Sequence, residues 1–344
     1  GLSELGNTPE DASLIDSVVN GDSVYQSLDG FPALVTDPWL NARITALHAC
    51  SDLWASGISI SSAQAFIEIP SAHSIVQETL LVDSLEGIKS ALDPQGAKLI
   101  GGHTVESRSQ SLSPISLDIK ITLSVNGKLN SDQYFWDKGG IEPEDILFIS
   151  RGIGTGVIFA AAMQGKVKPC DMDLIISHVN KSQFPIFQSL MRIQREYGNQ
   201  RIVHAATDIT GFGLLGHIGE MITSTNLKRL KKDLDPLMIN LQTKSIPVLS
   251  GAMRLIEEGY YSSLAPSNRR SWRFLKDNGN YSPFINLVFE QIEQHKNQYN
   301  NLLELMVDPQ TCGPMLIACN PKFREIIKRT GYWTEIGNAS TKRN

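Results

Sequence analysis

The chain has 344 residues, 41% of them hydrophobic and 19% charged, with a formal net charge of −5. That is the composition of a globular protein long enough for two domains; no run approaches the roughly 18 apolar residues that span a bilayer, and no basic segment followed by an apolar core marks a signal peptide. Four cysteines (Cys50, Cys170, Cys312, Cys319) form no CxxC pair, which argues against a disulfide framework and a zinc site and fits a reducing cytoplasm.

Taken in chain order, residues 12–30 read as two short strands around the Asn20-Gly21 turn, the second over residues 23–28. Residues 41–54 carry helical spacing, with Ile44, Leu47, Leu53 and Trp54 on or near one face. Residues 63–69 alternate as a strand does, and residues 75–92 return to helical periodicity, closed by Asp93-Pro94-Gln95-Gly96. A brief strand over residues 98–100 feeds Gly101-Gly102-His103. The clearest strand follows: Leu117, Ile119, Ile121, Leu123 and Val125 alternate with polar residues up to Asn126-Gly127. A polar segment near residues 127–143 marks a boundary, giving domains over residues 1–130 and 140–340. Residues 146–150 then form a strand leading into Arg151-Gly152-Ile153-Gly154-Thr155-Gly156, a loop with the look of a phosphate cradle at a helix start. Residues 225–305, polar and lysine-rich, read as amphipathic helices in an outer layer. Strands and helices mix in both halves, which predicts α/β or α+β domains without the strict alternation of a doubly wound sheet.

The most informative stretch is Thr207-Asp208-Ile209-Thr210-Gly211-Phe212-Gly213-Leu214-Leu215-Gly216-His217. Its glycines admit close approach of backbone to a ligand, and the apolar run after them predicts a helix whose first N–H groups suit phosphate. Asp208 beside such a loop reads either as a metal ligand or as an N-cap aspartate before a glycine turn. Asp11, Asp29 and Asp52 also stand where a site is built: Asp11 before a strand, Asp29 after one, Asp52 in a helix. Hard Mg²⁺ takes oxygen ligands of this kind, a few carboxylates together with substrate phosphates. Residues 1–88 hold twelve carboxylates and a single strong base, Arg43, leaving 24 acidic and 30 basic residues in the rest. The two halves either meet across a cleft holding cations and phosphates or merely present a solvated acidic face. No dense Lys/Arg stripe with interleaved aromatics favours nucleic acid.

The ordered segments Glu10-Asp11-Ala12-Ser13, Ser51-Asp52-Leu53-Trp54-Ala55-Ser56-Gly57, Gly101-Gly102-His103-Thr104-Val105-Glu106, the Asp208 stretch, and Asp308-Pro309-Gln310-Thr311-Cys312-Gly313 span nearly the whole chain. In this order they resemble selenophosphate synthetase (selenide, water dikinase), of the wider aminoimidazole ribonucleotide synthetase superfamily. The resemblance implies conversion of ATP, selenide and water to selenophosphate, AMP and orthophosphate. It implies Mg²⁺ on Asp11, Asp52 and Asp208, with K⁺ a further cofactor, and nucleotide contacts from Thr8, Pro9, Glu10, Asp29, Asp52, Gly101, Gly102 and His103. The implied fold is a two-domain α/β (α+β) one, its N-terminal domain pairing into a homodimeric β-barrel and its C-terminal domain covering the nucleotide.

The pattern is also departed from. The family's catalytic cysteine and lysine lie before the position of Asp11, and neither Cys50 nor any lysine here aligns with them, so no catalytic residue is assigned. A catalytic segment upstream, or a covalent N-terminal flavin-dependent oxidoreductase as in some relatives, is the corresponding expectation. His48 stands where the family has Asn, Cys312 for Ser, and Pro314 for Gly. His48 reads foremost as a packed, hydrogen-bonded histidine and Cys312 as a buried inert thiol. The alternatives to selenophosphate synthesis are another ATP-dependent superfamily enzyme, such as aminoimidazole ribonucleotide synthetase or thiamine-monophosphate kinase, and a nucleotide-binding module without activity.

Overall fold

The structure, a computed structural model, describes residues 10–17, 21–107, 119–198, 200–275, 284–289 and 296–341. Thr8, Pro9, Asn20 and Leu117 lie outside them. The chain divides into two compact units. The first takes residues 11–135 and 179–187, the second Glu10 with residues 136–178 and 188–344.

In the first unit the elements run β1 (Ser13–Ser17), β2 (Ser23–Pro32), α1 (Pro38–Ala55), β3 (Ser59–Ile69), α2 (Ser74–Leu92), β4 (Lys98–Glu106) and β5 (Lys120–Leu129). The strands form one mixed sheet in the order β1-β2-β5-β3-β4, antiparallel except for β3 beside β4. Asp37 caps α1 by accepting the Leu40 N–H at 2.7 Å, and Pro38 follows at a position where a missing N–H is harmless. Nearly the whole of α1 is buried, packed on β2 and β5 with α2 alongside. Ile121, Leu123 and Val125 of β5 point into that core while the residues between them are wetter, as the period-two pattern predicts. The segment from 179 to 187 belongs here because Arg43 Nε donates to Asn180 Oδ1 at 2.7 Å and Phe184 lies against Trp54.

Among the described residues the sheet is open, β1 and β4 each having one neighbour, and Leu28, Phe66 and Ile100 stand exposed on it. No closed barrel is formed among the described residues, so the barrel expected from the resemblance is not a property of one copy. Two positions also differ from expectation. Because β2 pairs with β5 all the way to Pro32↔Lys120, Asp29 lies inside a strand and not after it. Gly101, Gly102 and His103 lie within β4, which runs on past the brief strand expected over residues 98–100. Gly102 runs so close to β3 that a Cβ there would meet the Ala65 carbonyl oxygen at 2.0 Å, so the glycine serves strand pairing.

The second unit contains β6 (Ile146–Ile149), α3 (Thr155–Ala162), α4 (Pro169–Val179, its last residue counted with the first unit), α5 (Phe184–Glu196, its first four residues counted with the first unit), β7 (Val203–Asp208), α6 (Gly213–Leu230), β8 (Leu237–Gln242), α7 (Ala252–Glu257), α8 (Ala265–Asn268), β9 (Ile285–Val288), α9 (Lys296–Met306), β10 (Met315–Cys319), α10 (Arg324–Arg329) and β11 (Thr334–Thr341). Its strands order as β7-β10-β6-β11-β8-β9, antiparallel except for β8 beside β9. Every residue of β10 is buried, matching its continuous apolar run. Residues 225–305 are not purely an outer helical layer. They supply β8, whose Leu237, Ile239 and Leu241 are buried in the sheet, and the strand β9 beside it. The lysines flanking β8 mask a short strand that pairing with β11 creates. Among the described residues no helix is long and apolar enough to cross a membrane.

Candidate metal and nucleotide site

In the first unit α1 and β2 bring their polar residues together by simple periodicity. His48 and Asp52 are four apart and share a face of α1, while Ser27 and Asp29 are two apart and share the face of β2 toward that helix. The result is a ladder of two rungs. The Ser27 hydroxyl donates to Asp52 Oδ2. His48 Nε2 lies 3.1 Å from Asp29 Oδ2, and the Gly30 N–H donates to Asp29 Oδ1 at 2.7 Å. Burial presses the Asp29 carboxyl upward, but the hydrogen bond and charge of His48, with the Gly30 N–H, bring it below its ordinary value. Phe31, next inward on β2, sets its ring edge-on to His48 at 5.2 Å. The reading of His48 as a packed, hydrogen-bonded histidine agrees with its 7% exposure.

Asp11, half-buried just before β1, offers a carboxylate oxygen within 4.8 Å of one from Asp52. Two like charges at that separation repel by roughly 3 kcal/mol at the effective dielectric typical near a protein surface. A hard divalent cation relieves that repulsion, and an all-oxygen pair is the donor set Mg²⁺ prefers. Of the residues singled out from the sequence in this unit, the structure thus brings Asp11 to Asp52 and Asp29 to His48. His103 is exposed on the edge strand β4, its ring 6.2 Å from that of Phe66.

In the second unit Asp208 ends β7, 1% exposed and paired with Met315 across the sheet. The loop after it is braced from three sides: the Ile209 N–H donates to the Pro314 carbonyl at 2.8 Å, the Gln310 N–H to the Thr210 carbonyl at 2.9 Å, and the Thr210 N–H to His217 Nε2 at 3.1 Å. At Gly213, φ is +71°, and a Cβ would meet the Val307 backbone at 2.7 Å. From there α6 begins, as its apolar spacing predicts. His217 is neutral, its pKa lowered to about 3 by burial and by the nearby Lys138 charge. Since Nε2 accepts from Thr210, the ring proton sits on Nδ1, 3.7 Å from Glu220 Oε2. Lys138, itself buried, reaches the same carboxylate at 3.4 Å and donates its backbone N–H to Glu10 Oε2 at 2.9 Å.

The other glycine loop, residues 151–156, is not a phosphate cradle. The N-terminus of α3 is already filled by side chains of this chain. Gln310 Oε1 accepts the N–H groups of Gly154 and Thr155 at 2.9 and 3.1 Å, and Asp308 Oδ2 accepts that of Gly156 at 3.0 Å. Nothing local in residues 151–156 announces this, because the partners come from more than 150 positions away. Burial pushes the Asp308 carboxyl up to about 7, against the Val157 and Gly156 N–H groups and the Gln310 side chain that pull it down. The motif Asp308-Pro309-Gln310-Thr311-Cys312-Gly313 is in this respect a plug. Its Cys312 is buried, with φ +45°, and its carbonyl accepts from the half-buried Arg151, whose pKa desolvation lowers to about 10. Ser27, Lys138 and Glu220 were missed by sequence reasoning. For Ser27 the signal was present, as the residue two before Asp29 on an alternating strand.

Comparison with known proteins agrees with this architecture. The N-terminal domain of the AIR synthase related proteins matches residues 9–128, and their C-terminal domain matches residues 143–344. The chain is 26% identical over 314 residues to a selenide, water dikinase of Agathobacter rectalis, covering 91% of this chain and 78% of that protein. It is 29% identical over 334 residues to one of Caldanaerobacter subterraneus subsp. tengcongensis, covering 96% and 82%. Its fold is similar to that of thiamine-monophosphate kinase from Stenotrophomonas maltophilia, with a TM-score of 0.64 at 14% identity over 97% of this chain and 88% of that one. The chain belongs to the AIR synthase related protein family.

Proposed function

We propose that this member of the AIR synthase related family is an ATP-dependent selenophosphate synthetase, converting ATP, selenide and water to selenophosphate, AMP and orthophosphate. The observation that carries the reading is the Asp11–Asp52 carboxylate pair, in a chain that is similar to a selenide, water dikinase over 91% of its length. In this reading Asp11, Asp52 and Asp208 hold Mg²⁺, with Thr8, Pro9, Glu10, Asp29, Asp52 and the β4 segment Gly101-Gly102-His103 contacting the nucleotide. Bound Mg²⁺ would supply charge neutralisation to the ATP phosphates. The protein's own contribution is to hold its carboxylates in place: Ser27 fixes the Asp52 rotamer, and the braced loop after β7 fixes Asp208. A homodimer is part of the same proposal. Among the described residues the sheet of the first unit has open edges at β1 and β4 and exposes Leu28, Phe66 and Ile100, and a second copy would cover them.

The test is direct. Isothermal titration should show nucleotide binding that requires Mg²⁺, and ³¹P NMR of the full-length protein with ATP, Mg²⁺ and selenide should show selenophosphate with AMP and orthophosphate. ADP as the nucleotide product, with phosphate carried to another acceptor, would overturn the selenide reading while leaving the nucleotide site standing.

A further inference from the structure

We infer that His48 is a positioning residue for the nucleotide-contacting carboxylate Asp29, an inference that rests on the nucleotide reading above. The imidazole is 9% exposed at its side chain and the carboxylate 33%. A bound nucleotide therefore reaches Asp29 but not the ring behind it, and His48 acts only through its partner. The geometry leaves Asp29 little freedom. One oxygen accepts from His48 Nε2 at 3.1 Å, so the ring proton is on that nitrogen, and the other accepts from the Gly30 N–H at 2.7 Å. The ring is in turn held by α1 and by the edge-on Phe31. Each carboxylate oxygen retains a lone pair for a ligand hydroxyl or amine, in an orientation set before the ligand arrives.

Asp29 and Asp52 stand on the two rungs of the ladder, and each carboxylate has its own donor, His48 on one rung and Ser27 on the other. A donor on each rung keeps the two negative side chains in separate, fixed rotamers. Without His48 the Asp29 side chain gains rotamers, and its contact with a nucleotide must be ordered at the moment of binding. Losing a hydrogen bond to a charged group of this kind weakens a dependent interaction by roughly tenfold.

The experiment is a double-mutant cycle in the full chain, read by isothermal titration with Mg²⁺ and a non-hydrolysable ATP analogue. His48→Ala should weaken binding about tenfold, and His48→Gln, which keeps an N–H donor at the ε position, should restore most of it. Asp29→Ala should weaken binding, and adding His48→Ala to it should change affinity by less than about twofold, because the partner is already gone. Independent losses in the double variant, or binding by His48→Ala within twofold of the original protein, would overturn the inference alone. Absence of Mg²⁺-dependent binding by the unsubstituted protein would overturn the nucleotide reading and this inference with it. Circular dichroism of each variant separates loss of the fold from loss of the contact, and the Gln rescue is not expected of a residue that merely fills space.

Discussion

Replacing Asp308 should produce a stability change whose size depends on pH in a direction fixed by the structure. The carboxyl sits at the N-terminus of α3, accepting the Gly156 and Val157 N–H groups and Gln310 Nε2. Asp308→Ala removes the acceptor from the two backbone donors, while Gln310 Nε2 keeps its bond to the Asp308 carbonyl at 2.8 Å. A buried donor left unsatisfied costs about 1–3 kcal/mol, so two cost roughly 2–6 kcal/mol. Against this stands the group's own titration. The unfolded chain loses the proton near the ordinary 3.8, and the folded protein near about 7. Between those values the unfolded state binds fewer protons, so the wild-type protein loses stability as pH rises, and above about 7 this loss is complete. At about 1.4 kcal/mol per unit the full effect is on the order of 4 kcal/mol. Asp308→Asn abolishes the titration and keeps one acceptor oxygen. Urea unfolding of the two proteins at about pH 5 and about pH 7.5 should therefore show the wild type losing roughly 2–3 kcal/mol relative to Asp308→Asn as pH rises. Amide exchange in α3 should quicken in Asp308→Ala. A wild-type advantage that stays constant across that range would refute the assignment of a raised carboxyl to this plug.

Asp208→Ala should weaken Mg²⁺-dependent nucleotide binding by more than tenfold in isothermal titration, and undiminished binding would remove Asp208 from the proposed Mg²⁺ set. His217 should show no ring titration by NMR between about pH 5 and pH 8, with its proton on Nδ1, since its pKa lies at about 3. Because the unfolded chain protonates this histidine near 6.5 while the fold keeps it neutral, its contribution to stability is present above that pH and is lost as pH falls toward 3; a ring that titrates near neutrality would contradict the burial that sets it. Light scattering should give twice the chain mass at micromolar concentration, and Leu28→Asp on the exposed sheet face should shift the population toward single copies; a monomer in the unsubstituted protein would exclude the proposed dimer.

What the sequence made legible follows from how far each signal reaches. Helices α1, α2 and α6 and the strands β2, β3 and β5 were visible because each carries its own period: residues 41–54 repeat every three to four, and Ile119 to Val125 every two. Asp11 and Asp52 were legible as candidate site residues because each lies in a local motif, and the fold then places their carboxylates together. The local pattern puts Asp29 just after a strand and Gly101 to His103 just beyond a brief one, because glycine and aspartate are punctuation in a single segment. Pairing with β5 and β3 overrides that punctuation.

The two glycine loops show where such reading stops. Residues 151–156 and 208–213 both follow a strand, both carry three or two glycines, and both open a helix, so the same inference of a phosphate site applies to each. They differ in what reaches them from elsewhere. Gln310 and Asp308 cap the first with their side chains, whereas the second receives the Pro314 carbonyl and His217 on its loop N–H groups, and Phe212 at its N-cap makes no side-chain cap bond. One motif, Asp308 to Pro314, thus closes one helix start and braces the loop before the other. A helix N-terminus binds an anion only where no internal acceptor has already taken its N–H groups. Which loop is taken depends on a segment more than ninety residues from either, and that dependence is invisible to any window along the chain.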